Sequence, residues 1–335
     1  MKRHLAMLMT AGLLAAACTS AANEEATGMT DPGRETKEAT SADAPAAEAA
    51  QPTLMSWPDL TARPLPMPTQ TIQLGPDPDI NIVDLWMPEG DGPHPVVLMI
   101  HGGCWQKAIA DRTLMNYAAE ALRQDGLAVW NIEYRGVDEP GGGYPGTFLD
   151  VARAVDALEA RGGSLGLDTG RVAGFGHSAG GHLAVWAAAR ANLPETSPLH
   201  AGAPFLFSGV VNSGGLADLE ASAPVTQPGC LADILVSLTG EPTTGRPDVF
   251  SDTSPAELAP IGARIVSVNG ALDRIAPPQL GQAVTKKLVS AGGEASFVEV
   301  PAAGHVELIA PGTQAFDVEV AQLKALLGVG PEAVD

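Results

Sequence analysis

Hydrophobic and polar positions divide the chain into a start without core-forming pattern and a long body in which the pattern alternates between two periods. Lys2, Arg3 and His4 precede an apolar stretch from Leu5 to Ala17, too short to span a bilayer, which needs roughly 20 helical residues. Between Thr19 and Ser56 there is no Val, Ile, Phe or Tyr, and Leu54 is the only leucine. Seven acids against two bases fill that stretch, which cannot bury enough apolar surface to offset its ordering entropy. Residues 19–67 are therefore expected to form a disordered acidic, Ala/Pro-rich tether, with the folded domain, 68–335, starting near Pro68.

From there the periods read as alternating strand and helix. Asn81–Trp86 alternates as a short strand, and Val96–Ile100 is a continuous apolar run, as in a strand buried on both faces. Leu114–Gln124 has helical spacing and stops at Asp125-Gly126. Leu127–Ile132 (strand), Thr147–Ala160 (helix), Arg171–Phe175 (strand), Ser178–Ala191 (helix) and Phe207–Asn212 (strand) continue the alternation. An irregular stretch, 213–260, carries one short apolar helix near Leu231–Leu238 and is expected to form a small cap. Arg264–Asn269 (strand), Pro278–Ala291 (helix), Ser296–Val300 (strand) and a helix near Gln314–Leu327 close the chain. Alternating β and α predicts a mostly parallel central sheet with helices on both faces.

Composition narrows the function classes. The formal charge of −20, with no basic run beyond the first residues, argues against nucleic acid, whose phosphates need clustered Lys and Arg. The apolar N-terminal stretch ends in Leu14-Ala15-Ala16-Ala17-Cys18, which resembles a bacterial lipobox, with residues 1–18 as signal peptide and Cys18 as the lipidated first residue. An ordinary secretory signal is the other reading. Both imply export, to the periplasm or outer membrane through a lipid anchor, or as a soluble secreted protein. An oxidising compartment permits a disulfide between the two remaining cysteines, Cys104 and Cys230, with two buried free thiols as the alternative.

The chemistry is carried by two motifs. Gly176-His177-Ser178-Ala179-Gly180-Gly181 fits Gly-x-Ser-x-Gly directly after a strand and at the start of a helix. That sharp turn exposes the hydroxyl of Ser178, and small residues are needed on either side of it. The helix N-terminus adds positive potential where an oxyanion would form. His101-Gly102-Gly103-Cys104-Trp105 follows the buried strand Val96–Ile100, where glycines let backbone N–H groups approach a reacting carbonyl. The acid and histidine of such a site follow later strands. Asp273 lies just past Arg264–Asn269, and His305 follows Ser296–Val300 and is the only histidine after His200. Asp218, Asp233 and Asp252 fit that order poorly, Glu307 reads as solvated or structural, and His177 and His182 read as structural, His182 being also a candidate for the pocket wall. No cluster has zinc-ligand spacing, and no metal or cofactor is implied.

Together with Tyr134-Arg135 and Tyr144-Pro145 before Asp150, these motifs resemble the hormone-sensitive-lipase and kynurenine-formamidase-like (BD-FAE-like) branches of the α/β-hydrolases, from about Val96 to His305. The resemblance implies an α/β-hydrolase fold and a triad of Ser178, Asp273 and His305. It also implies oxyanion donors at the N–H groups of Gly103, Cys104 and Ala179, with Gly102 shaping the loop. In the lipase branch a third glycine stands where this chain has Cys104. Trp105 and Tyr144 either line the substrate pocket or pack against their own loops. The expected reaction is ester hydrolysis through an acyl-enzyme, on a small-molecule or carbohydrate-linked ester, with a short, acetyl or aryl acyl group. Amide hydrolysis of the formamidase or exopeptidase kind stays open. A non-catalytic exported binding lipoprotein is the reading from another class.

Overall fold

The computed structural model of the protein describes residues 52–226 and 228–330, so the signal peptide, Cys18 and the tether up to residue 51 lie outside the described residues. The first element is a short helix, α1 (Trp57–Thr61), followed by β1 (Gln70–Gln73), β2 (Ile82–Trp86), β3 (His94–Ile100), α2 (Asn116–Gln124) and β4 (Ala128–Ile132). Next come α3 (Gly146–Gly162), β5 (Leu167–His177), α4 (Ala179–Ala189) and β6 (Gly209–Ser213). After β6 lie α5 (Leu219–Ser222) and α6 (Leu231–Thr239), then β7 (Arg264–Gly270), α7 (Pro278–Ser290), β8 (Ala295–Val300) and α8 (Gln314–Leu327).

The eight strands form one sheet in the order β1-β2-β4-β3-β5-β6-β7-β8. β1–β2 and β2–β4 are antiparallel, and the remaining pairs are parallel, which is the mostly parallel sheet the alternation implies. β4 and β6 are buried along their whole length because helices cover both faces. Leu98, Trp130, Phe148, Val155, Leu183 and Trp186 belong to the core on the face of α3 and α4. On the other face Met99, Phe175, Ala118, Leu122, Phe316 and Leu323 pack β3 and β5 against α2 and α8.

Residues 52–67 are folded, which corrects the expectation of a tether running to residue 67. Ser56 caps α1 through Asp59, whose carboxylate accepts from Ser56 N at 2.7 Å and Oγ at 2.6 Å. Leu60 is wholly buried, and Arg63 and Asn116 anchor the following chain through Pro311 O and Pro66 O, each at 3.0 Å. Average composition hid this strap because its few large apolar residues, Leu54, Met55, Trp57 and Leu60, are diluted by Pro and polar neighbours. β1 is a second element not anticipated. Its Gln-Thr-Ile-Gln pattern buries only Ile72, as an edge strand needs.

Candidate active site

The turn between β5 and α4 places Ser178 at φ 54°, ψ −119°, a conformation costly for any residue with a Cβ. The close packing of the turn leaves no room for side chains at the two flanking glycines. A Cβ on Gly176 would lie 2.1 Å from the Gly180 carbonyl oxygen, and one on Gly180 would lie 2.1 Å from that of Ile100. The turn is pinned from below by Ser178 N donating to Ser213 O at 2.8 Å, at the end of the neighbouring β6.

β7 and β8 are adjacent and parallel, so the loops that leave them emerge side by side. Ala271 N donates to Val300 O and Leu272 N to Ala303 O, both at 2.9 Å, joining the two loops. This brings Asp273 and His305 together, with His305 Nδ1 2.6 Å from Asp273 Oδ2. Asp273 Oδ1 accepts from the N–H groups of Ile275 at 2.8 Å and Ala276 at 2.9 Å, so both oxygens are occupied. Ser178 and His305 line one cavity of 220 Å³ together with Gly103, Cys104 and His177. Ser178 Oγ makes no hydrogen bond to another described residue, as is common for catalytic contacts that tighten only around substrate.

The loop after β3 forms the opposite side. Gly102 passes so close to the nucleophile turn that a Cβ would lie 3.0 Å from Ser178 Cβ and 2.9 Å from His177 Nδ1. Among the described residues no backbone acceptor takes the N–H of Gly103 or Cys104. Ala179, the first residue of α4, has no intrahelical acceptor for its own N–H. All three N–H groups thus lack a backbone acceptor among the described residues. Cys104 is disulfide-bonded to Cys230, which resolves the open alternative of paired or free thiols.

Both histidines flanking the serine are held in the framework by hydrogen bonds. His177 Nε2 donates to His305 O at 3.1 Å, and burial pushes its pKa well below 6.5, with the nearby His305 ring acting in the same direction. His182 Nε2 donates to Thr253 O at 2.7 Å, and burial lowers its pKa to about 4, leaving Nδ1 to accept from Trp105 Nε1 at 3.2 Å. Glu307 accepts from Gly304 N at 3.0 Å and from Met55 N, tying the histidine loop to the N-terminal strap.

Trp105 and Tyr144 are not part of the cavity wall. The Trp105 ring is wholly buried against His182. Tyr144 stacks under the Arg246 guanidinium, 3.8 Å from its ring centre, and donates to Asp252 Oδ2 at 3.0 Å. Asp252 is thereby committed to Arg246 and Tyr144, Asp218 to Lys287 and the cap of α5, and Asp233 to Gly229 N. The walls come instead from Trp57, Thr61, Ile109, Ala110, Leu114 and Ile275. Trp57 stands edge-on to His177 and His305, with ring centres 6.1 and 6.2 Å away. Sequence reasoning missed it, although Ser56-x-x-Asp59 is a capping signature that marks a helix start there. The segment 213–260 supplies none of these wall residues; it stands beside the oxyanion loop through the disulfide.

A family model, BD-FAE, matches residues 83–288. Esterase LipC of Mycobacterium tuberculosis is 30% identical over 240 residues, covering 69% of this chain and 58% of its own. Probable carboxylic ester hydrolase LipM of the same organism is 27% identical over 233 residues, covering 67% of this chain and 53% of its own. The chain thus spans between a half and two thirds of the length of these curated relatives. Among solved structures, a truncated form of a carbohydrate esterase from gut microbiota superposes with a TM-score of 0.66 at 19% identity, covering 78% of this chain and 98% of that one. At that identity the likeness establishes the fold, an α/β-hydrolase.

Proposed function

The chain belongs to the BD-FAE family, and from that premise we propose that it hydrolyses carboxylic esters through an acyl-enzyme formed on Ser178. The observation that carries this reading is the pairing of His305 Nδ1 with Asp273 Oδ2 at 2.6 Å at a cavity shared with Ser178 and the free-donor loop. Asp273 keeps the proton on Nδ1, so Nε2 is the basic nitrogen that takes the Ser178 proton as Oγ attacks the ester carbonyl. The carbonyl oxygen gains negative charge and is held by the N–H groups of Gly103, Cys104 and Ala179, which are preorganised and need no rearrangement. The alcohol leaves with the proton from Nε2. Water, deprotonated by the same nitrogen, then releases the acid and restores the serine.

The cavity supports a short acyl group. Its 220 Å³ lies below the roughly 300–1,000 Å³ of drug-sized ligand pockets, and its walls are mainly apolar. The alcohol side is read as a small molecule or a carbohydrate, in keeping with the names of the relatives and of the carbohydrate esterase that shares the fold. Export through the N-terminal signal, with Cys18 as a lipidated anchor, is part of the same proposal and is supported by the Cys104–Cys230 disulfide, which persists in oxidising compartments.

The test is hydrolysis of p-nitrophenyl esters from acetate to decanoate by the wild type and Ser178→Ala. We expect turnover of the short esters, with a loss on the order of 10⁶-fold in kcat for the variant. A folded wild type that turns over no ester would sink the reading.

A further inference from the structure

The loop that offers the oxyanion donors holds three consecutive residues at positive φ: Gly103 at 110°, Cys104 at 50° and Trp105 at 54°. Glycine adopts that region freely, whereas Cys and Trp persist there only where the surroundings over-determine the backbone. Two of the neighbouring positions are tied by ordinary contacts. Trp105 is wholly buried, donates through Nε1 to His182 and accepts Val137 N on its carbonyl at 2.7 Å. Gln106 N donates to Gly103 O at 2.9 Å, and its side-chain amide donates to Gly229 O at 2.7 Å.

Cys104 cannot be held in that way. An oxyanion donor must keep its N–H free, so the usual anchor of a strained residue, its own backbone hydrogen bond, is unavailable to it. Its tie is the covalent bond to Cys230, a buried residue at the start of α6. Gly229, which receives the Gln106 amide, is the residue before Cys230, so the two ties converge on one turn of the segment between β6 and β7. We propose that Cys230 is a positioning residue for catalysis: through the disulfide it holds Cys104 in the left-handed backbone that aims the Gly103 and Cys104 N–H groups at the oxyanion. This rests on the ester-hydrolase reading and assigns the segment between β6 and β7 a task at the reacting carbonyl. The segment is then a clamp on the donor loop, acting from outside the cavity.

Three variants of the full chain test it: Cys230→Ser, Cys104→Ser/Cys230→Ser and Cys104→Gly/Cys230→Ser. Losing an oxyanion donor costs roughly 10²–10³ in kcat, so partial misalignment in Cys230→Ser is expected to lower kcat at least about tenfold. KM for p-nitrophenyl acetate should stay within about twofold, because the donors act on the transition state. The inhibition constant of a trifluoromethyl ketone, which forms the oxyanion on Ser178, should rise in step with the loss in kcat. Glycine at 104 takes the positive φ without a clamp, so Cys104→Gly/Cys230→Ser is expected to recover most of the activity that Cys104→Ser/Cys230→Ser loses. Wild-type kcat in folded Cys230→Ser, or a glycine variant as impaired as the serine one, overturns the proposal. Should the variants not fold, the wild type is treated with a water-soluble phosphine. The phosphine gives two electrons to the disulfide and leaves as its oxide, taking its oxygen from water, whose two protons complete the two thiols. Activity falling ahead of the tryptophan-fluorescence signal of unfolding is expected, and activity falling only with that signal overturns the proposal. A wild type inactive on every ester would instead remove the ester-hydrolase reading itself.

Discussion

The two oxygens of Asp273 have separate tasks. Oδ1 is held by the N–H groups of Ile275 and Ala276, and Oδ2 faces His305 Nδ1. This division predicts what Asp273→Asn does. The two backbone donors select the amide oxygen for the Oδ1 position, so the NH₂ group must face His305. A donor there forces the proton off Nδ1 and onto Nε2, and the ring can no longer accept from Ser178. The expected loss is about 10⁴ in kcat with the fold intact, measured on p-nitrophenyl acetate beside a melting curve. A loss below about tenfold would show that the carboxylate has no such role. The convergence of Ser178, Asp273 and His305 on one site was legible because each follows a strand end in the order such a site requires, a property of local sequence. Trp105 and Tyr144 were placed by adjacency to a motif, and adjacency says nothing about which way a ring points. Trp57 reaches His305 and the cavity from 121 positions before Ser178 in sequence, a contact set by tertiary packing alone.

At the scale of elements, the strands and helices of the sheet are legible because long periodic segments bury whole faces, and α8 occupies the expected Gln314–Leu327. What escapes is short and held by few contacts: α1 buries Leu60 alone and β1 buries Ile72 alone. Yet α1 closes one side of the cavity through Trp57 and Thr61, outside the stretch the family model matches. Leu60, Arg63 and the Glu307 contact to Met55 anchor the strap independently of the indole, so removing the ring opens space without releasing the strap. Trp57→Ala is therefore expected to shift preference toward longer acyl chains. One methylene in an apolar pocket is worth about 1–3 kcal/mol, so the octanoate-to-acetate ratio of kcat/KM should rise at least about tenfold. Thr61→Leu, which fills the same space, should lower that ratio. An unchanged profile in both variants would place the acyl group elsewhere.

For the whole molecule, the net charge of −20 suggests an acid-dependent stability, but most carboxylates among the described residues are exposed and contribute little to it. The disulfide is a similar case of a property that becomes readable only in three dimensions, since the sequence separation of 126 between its cysteines carries no distance information. Two buried glutamates act on the pH response in opposite directions, beside the buried His177 and His182, whose lowered pKa values weaken the fold as the pH falls below 6.5. Glu133 follows β4 and joins His101 at 2.8 Å, Lys107 at 2.7 Å and the Arg112 N–H at 3.2 Å. Burial alone would raise its pKa, but the His101 ring and the Lys107 ammonium outweigh it and hold the group at about 2, against an ordinary 4.5. Its stabilisation is present above pH 4.5 and is lost as the pH falls toward 2, an effect of about 3 kcal/mol. Glu319, in α8, is wholly buried, and among the described residues neither of its oxygens has a partner at normal hydrogen-bond distance; burial pushes its pKa well above 4.5, and the nearby Ser213 hydroxyl offsets this only in part. The folded state keeps that proton while the unfolded chain releases it, so Glu319 weakens the fold as the pH rises above 4.5. Urea unfolding at pH 7.5 and pH 3 should then separate the two sites. Glu133→Gln should be strongly destabilised at pH 7.5 and much less so at pH 3. Glu319→Gln should be more stable than the wild type at pH 7.5 and close to it at pH 3. The same offset at both pH values in either variant would mean that its carboxyl titrates alike in the folded and unfolded chain.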